Sequence, residues 1–198
     1  MTKQLNDIME TIVDSPGLTT VVKDDDSISI YIVGEINEEV SNDTISTLLQ
    51  EDLDEIKDVK IYITSQGGYL AHCFAIIDFL LYIKHKYKLT LETYALGEIA
   101  SAGFFIFIVG DIRTIFPSCR VFVHSHITIG DECTYEERLK ADKTEEKEIY
   151  DNYIKYTAEQ LDLSILRAKR LLKKRKWLNH KEILDYNLIK DSKIEQHT

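Results

Sequence analysis

The sequence predicts an α/β fold in which parallel strands alternate with helices. Segments at 27–36, 59–65 and 90–96 have the alternation or the β-branched and aromatic content of strands, and each runs into a segment with helical character. The length of 198 residues suits one domain with its own core. In this arrangement the parallel strands deliver their following loops to one edge of the sheet.

The first half of the chain contains two βα units. The first strand starts near Ile28, and a helical stretch follows around 40–56. The second strand, 59–65, ends in Gln66-Gly67-Gly68, where the backbone can turn sharply. The helix that follows is expected to bury a stripe containing Phe74, Ile77, Leu80 and Leu81.

The second half begins with the strand at 90–96, which runs into a third strand-to-helix junction, GEIASAGFF. Short strands are predicted at 114–117 and 120–126, and short helices near 164–174 and 180–185. Between them a charged helix from about 134 to 161 has few apolar residues, so we expect it to project and pack against a partner subunit. We divide the chain into an N-terminal arm, 1–27, and a domain, 28–198.

Composition narrows the classes of function. The formal net charge of −10 argues against general nucleic-acid binding. Three cysteines, odd in number and widely spaced, favour a reducing compartment, so a cytoplasmic location is expected. Because no segment has the length and hydropathy of a signal peptide or membrane span, no membrane association is expected. The basic segment 167–176 is either a solvated helix face or a docking patch for an acidic partner or nucleic acid.

Ser101 is the first candidate for chemistry. Gly97, Ala100, Ala102 and Gly103 surround it, so its hydroxyl is uncrowded and a substrate backbone could approach. Free N–H groups at the start of the following helix favour the negative charge of a tetrahedral intermediate. The alternative is an ordinary helix N-cap serine.

His124 is the second candidate. In the strand RVFVHSH, alternation places Phe122, His124 and His126 on one face. A histidine at a strand end could accept the serine proton, although it could equally be a structural residue. A zinc site would need further ligands from Asp131, Glu132 or Cys133, and no metal or other cofactor is predicted.

Four segments resemble the Clp peptidase proteolytic subunit family in order and spacing. They are IYIVGEI at 30–36, VKIYITSQGGYLAHCFAIIDFLLYIK at 59–84, ALGEIASAGFFIFIVGD at 95–111 and SCRVFVHSH at 118–126, and the resemblance spans roughly 28–191. It implies a ClpP/crotonase-like fold of stacked βαβ units in which the helix at 134–161 is the projecting handle. The chain departs from the family at Gln66, where proline is usual, and at Tyr69, where a small residue is usual.

The resemblance also implies site residues. It places the catalytic serine at Ser101, the catalytic histidine at His124, and the oxyanion hole at the backbone N–H groups of Gly68 and Ala102. The expected activity is a serine endopeptidase that hydrolyses polypeptides inside a chamber of heptameric rings, two of which the handle would join. An AAA+ unfoldase is a candidate partner, but residues 1–27 show no recognisable docking region.

The third member of the triad does not follow the family. The family aspartate falls at Arg175 in the segment 173–191, and an arginine cannot accept a hydrogen bond from histidine or stabilise an imidazolium. Asp131, Glu132 and Asn179 are candidate substitutes. The alternative function is therefore a catalytically weak or inactive ring-forming subunit with a structural or regulatory role.

Two further enzyme classes fit less well. A crotonase-type acyl-CoA enzyme would need acid or base carboxylates at the junction, where Glu98 is the one neighbour in sequence. A relative of the signal peptide peptidases would need a lysine base, and no lysine lies near Ser101 in sequence.

Overall fold

The computed structural model describes residues 18–24, 26–124 and 145–192, and within these ranges seven strands form one sheet. The strands are β1 (Leu18–Lys23), β2 (Ser27–Ile36), β3 (Asp58–Gly68), β4 (Thr90–Ala100), β5 (Ile112–Ile115), β6 (Arg120–Val123) and β7 (Lys176–Trp177). The helices are α1 (Glu38–Gln50), α2 (Leu70–Tyr87), α3 (Ala102–Phe107), α4 (Glu145–Gln160), α5 (Ile165–Leu172) and α6 (His180–Asp185).

The centre of the sheet is parallel. Strands β2, β3 and β4 lie side by side, and β4 pairs with β5 along its first half and with β6 along its second. Because parallel strands share a direction, the residues that follow β3, β4 and β6 emerge at one edge. The predicted mixed α/β class is confirmed, and this edge brings the candidate site residues together.

The sheet begins earlier than predicted. Strand β1 pairs antiparallel with β2 from Leu18↔Val33 to Lys23↔Ile28, so part of the segment assigned to an N-terminal arm belongs to the sheet. The side chain of Thr19 contacts α1, where its hydroxyl lies 3.1 Å from that of Thr44. Strand β1 has the six-residue sequence LTTVVK, in which apolar and polar residues do not alternate over enough positions to predict a strand by periodicity alone.

Other boundaries also differ from the predictions. Strands β3 and β4 continue through the small residues expected to end them, as far as Gly68 and Ala100. The first helix ends at Gln50 instead of near residue 56, and the short strand β7 was not predicted. Residues 145–160 of the predicted handle helix are helical, whereas 134–144 lie outside the described residues.

The buried face of helix α2 differs from the predicted stripe. Its buried residues are Cys73, Ile76, Ile77, Leu80 and Ile83. Phe74 and Leu81, predicted to be buried, are half-buried because they face α4 instead of the sheet. The last turns of α4 are also anchored in the chain's own core through Ile154 and Ala158.

The opposite face of the sheet has a row of tyrosines. Tyr31, Tyr62 and Tyr94 lie in register on β2, β3 and β4. Their rings stack with centroid separations of 4.8 and 4.6 Å.

Among the described residues no helix is both long enough and apolar enough to cross a bilayer.

A buried arginine joins the C-terminal helices to the sheet. Arg113 on β5 is 2% exposed, and its guanidinium donates to the carbonyl oxygens of Gly110, Gln160, Asn187 and Leu188 at 2.8–3.0 Å. Gln160 is the last residue of α4, where the terminal C=O groups have no partner within the helix, and the other three acceptors lie in the segments that follow α3 and α6. Arg113 therefore fixes the end of α4 and the segments after α3 and α6 against the strand.

Candidate functional site

Ser101 occupies a strained turn between β4 and α3. Its backbone has φ 52° and ψ −118°, a region that residues other than glycine seldom adopt. Such a conformation costs of order 1–3 kcal/mol and persists only where the surroundings enforce it. The residue is half-buried. A serine at a sharp, strained strand-to-helix turn is the geometry of a nucleophile elbow.

The glycine turn at the end of β3 packs directly on Ser101. A Cβ added to Gly67 would lie 2.6 Å from Ser101 Cβ and 3.2 Å from the backbone nitrogen of Ala102. Real non-bonded carbons are about 3.5–4.0 Å apart at contact, so only glycine fits here. The next residue, Gly68, is exposed at the same edge. Gly67 therefore packs on Ser101 and Ala102, and the predicted oxyanion-hole residue Gly68 is its neighbour in the chain.

Ser65 supports both turns, although the sequence analysis did not single it out. Its hydroxyl donates to the carbonyl oxygen of Gly34 at 2.6 Å and accepts from the N–H of Gly67 at 3.0 Å. A Cβ on Gly103 would lie 3.1 Å from Ser65 Cβ, so α3 packs closely on this side chain. The sequence feature that could have indicated this role is a serine placed two residues before the Gly-Gly pair.

Cys73 on α2 contacts the turn that carries Ser101. Its thiol donates to the carbonyl oxygen of Ala102 at 3.2 Å, and burial raises the thiol pKa well above its usual range. A neutral thiol of this kind is a poor nucleophile. Cys73 therefore helps to fix the residue after Ser101 and is not itself a candidate for chemistry.

His124 follows β6 at the edge where Ser101 follows β4. These strands are parallel neighbours, and their last paired residues are Ala100 and Phe122. Because neighbouring strands are about 4.8 Å apart, the backbone brings the two residues to adjacent positions. The His124 ring is half-buried and lies 5.7 Å from the Phe122 ring, centroid to centroid.

Arg175 lies at the end of the strand pair from which His124 emerges. Strand β7 pairs antiparallel with β6 through Phe122↔Trp177 and Val123↔Lys176. Arg175 directly precedes β7 and His124 directly follows β6, so both residues lie at the same end of this strand pair. The arginine is exposed, with a left-handed φ of 49°. The position expected for the triad acid is thus close to the histidine in the backbone, and it carries a positive charge.

A cluster of aromatic and charged side chains extends from His124 and was not predicted from sequence. The Phe122 ring lies 5.1 Å from that of Trp177, and the Arg120 guanidinium lies 4.2 Å above the Trp177 ring. Arg120 also pairs with Glu98 at 3.2 Å. Trp177 reaches this face because β7 pairs with β6, and a strand of two residues is too short to be predicted from sequence periodicity.

Other predicted residues take different positions. The side-chain oxygen of Asn179 accepts from the N–H of Glu182 at 2.9 Å, which caps α6. His126, Asp131, Glu132 and Cys133 lie outside the described residues.

The basic segment is partly neutralised by one carboxylate. Glu182 accepts from Lys174 at 2.7 Å and lies 2.9 Å from Lys176, on either side of Arg175. Hydrogen bonds from these lysines lower the pKa of Glu182 to about 2. The contacts of Glu182 with these two lysines hold the turn that carries Arg175.

An apolar groove begins close to the candidate site. It has a volume of about 480 Å³ and lies between α2 and α4. Its lining residues are Leu70, Ala71, Phe74, Ile77, Asp78, Leu81, Ile149, Asn152, Tyr153 and Tyr156. Leu70 is two residues beyond Gly68, so the groove runs away from the glycine turn along α2.

Comparison with known proteins identifies relatives along most of the chain. The family model described as Clp protease matches residues 19–196. The chain is 30% identical to ATP-dependent Clp protease proteolytic subunit 2 of Treponema denticola, over 85% of this chain and 82% of that protein. It is 32% identical to the ATP-dependent Clp protease proteolytic subunit of Nicotiana tabacum, over 48% of each.

A solved structure agrees with these matches. A point mutant of ClpP1 from Listeria monocytogenes superposes with a TM-score of 0.69 at 26% identity, covering 85% of this chain and 91% of that one. The fold and sequence are thus those of a Clp-type peptidase. The chain belongs to the Clp protease family.

Proposed function

We propose that the chain is a serine endopeptidase of the Clp type, with Ser101 as nucleophile and His124 as general base. The observation that carries this proposal is the strained turn at Ser101, which contacts the Gly67 turn and adjoins the strand end at His124. A non-glycine residue held at φ 52° by its neighbours indicates a functional constraint.

The proposed reaction is acyl transfer to the serine. Ser101 Oγ attacks the peptide carbonyl while His124 takes the hydroxyl proton, and the N–H groups of Gly68 and Ala102 stabilise the oxyanion. The C–N bond then breaks, and His124 returns the proton to the departing amine. Water, deprotonated by the same histidine, releases the acyl group and restores the serine.

The substrate class is polypeptide. The groove between α2 and α4 has an aromatic floor, where Phe74 and Tyr153 stack at 5.0 Å, and it starts next to the proposed oxyanion hole. Apolar side chains of an unfolded chain suit such a lining. We further propose assembly into rings, two of which stack through the helix containing α4, in the cytoplasm and with an AAA+ unfoldase as partner.

Hydrolysis of a fluorogenic peptide by the assembled protein tests this function. Wild type should cleave the peptide, and Ser101→Ala should abolish cleavage while leaving the assembly unchanged. Cleavage that survives Ser101→Ala would exclude Ser101 as the nucleophile.

The second candidate is a ring-forming subunit with little or no activity, and the position of Arg175 favours it. A triad without its acid loses about 10⁴ in rate. Arg175→Asp tests it well because aspartate tolerates a left-handed φ better than most residues. Arg175→Asn is the matched control, since it has the same shape without the charge.

The outcomes separate the two candidates. If the site is a degraded but usable triad, Arg175→Asp should raise cleavage at least tenfold, and Arg175→Asn should raise it less. If neither variant nor the wild type cleaves any peptide, the chain is a structural subunit.

A further inference from the structure

Two aromatic side chains, Phe122 and Trp177, connect His124 to the ion pair of Arg120 and Glu98. Each of these side chains contacts the next at the separations given above. Strand alternation places Arg120, Phe122 and His124 on one face of β6. The Phe122↔Trp177 register brings the indole to the same face.

The cluster is separate from the hydrophobic core. Trp177 is 41% exposed and Phe122 is half-buried, so truncating either ring would not open a large cavity in the core. Aromatic pairs nonetheless prefer defined orientations, and a guanidinium is attracted to the face of an indole ring. Glu98 fixes Arg120 from its other side. The indole is therefore held between a guanidinium and the phenyl ring that contacts His124.

We propose that Phe122 and Trp177 are positioning residues for His124, holding its imidazole in the rotamer that serves Ser101. A carboxylate normally orients the histidine of a triad, and Arg175 cannot act in that way. In this chain, packing against the aromatic pair restricts the ring, and the Arg120–Glu98 ion pair fixes the indole. The inference rests on the proposed role of His124 as the base.

Two substitutions of the indole test this role. Trp177→Phe keeps an aromatic ring against Phe122, and Trp177→Leu keeps only apolar volume. Tyr82→Leu is the matched control, because Tyr82 is an exposed aromatic residue on α2 about 20 Å along the helix from the glycine turn. Reaction with a fluorophosphonate probe should be resolved into the binding constant KI and the maximal labelling rate constant kinact.

Trp177→Leu should lower kinact about tenfold or more with little change in KI, since misplacement of a catalytic group by 1 Å costs up to about 10². Trp177→Phe should stay within about threefold of wild type, and Tyr82→Leu should match wild type. An unchanged kinact in Trp177→Leu, or an equal loss in Trp177→Phe, overturns the proposal.

Crystal structures of the same proteins give a readout that does not need activity. The His124 ring should leave its wild-type rotamer in Trp177→Leu and keep it in Trp177→Phe; an unmoved ring in Trp177→Leu refutes the positioning role. If the probe fails to label wild type, the proposed peptidase function fails, and the ring positions alone decide the role of Trp177.

Discussion

Replacement of Gly67 by alanine should disable Ser101 without unfolding the protein. The added Cβ would lie 2.6 Å from Ser101 Cβ, whereas carbons in contact are about 3.5–4.0 Å apart. The two turns must therefore separate by about 1 Å, which costs about 10² in rate at a catalytic group. A φ of +110° adds strain of about 1–3 kcal/mol for alanine.

Gly97→Ala provides the matched control for backbone strain. Gly97 also has a positive φ, +56°, but its added Cβ would meet only the Thr64 hydroxyl oxygen, at 3.2 Å. The assay is the rate of fluorophosphonate labelling, with thermal unfolding measured in parallel. Gly67→Ala should lose about 10² in labelling rate, and Gly97→Ala should lose far less. Equal losses in both variants, or a folded Gly67→Ala that labels at the wild-type rate, would refute the contact argument.

Two further predictions concern stability. Arg113→Met should lower the free energy of unfolding by about 3–5 kcal/mol in urea titrations, because four carbonyl oxygens at the end of α4 and after α3 and α6 lose their donor; a loss below about 1 kcal/mol would contradict this. Because Lys174 and Lys176 depress the pKa of Glu182 to about 2, its stabilising contribution is complete above the unfolded value of about 4.5 and is lost as pH falls towards 2. Between pH 5 and 2, the melting temperature of wild type should therefore fall more than that of Glu182→Gln, and parallel curves would exclude the effect.

The central elements could be predicted because their sequences carry strong local signals. Strands β2 to β4 have alternating or β-branched residues, and the small residues around Ser101 and at 67–68 mark the turns. The short edge strands could not be predicted in the same way. Within the described part of the chain, strand β1 pairs with β2 alone, and β7 is held by its pairing with β6 and not by any local preference.

In the candidate site, too, some residues have a local sequence signal and others depend on contacts between distant parts of the chain. Ser101 could be singled out because small residues surround it, whereas the roles expected of Gly68 and Ala102 came from the family resemblance. The supporting contacts of Ser65, and the stack of Trp177 on Arg120, depend on residues far apart in the chain. The departure at Arg175 was identified from the resemblance alone, and Arg175 directly precedes β7, which pairs with β6.

The most direct test of the central claim is to map where a fluorophosphonate probe reacts on the assembled protein. We expect mass spectrometry to find the adduct on the peptide containing Ser101, and labelling to disappear in His124→Gln. Assembled wild-type protein that stays unlabelled, or that is labelled on another residue, would contradict the assignment of Ser101 as an activated nucleophile.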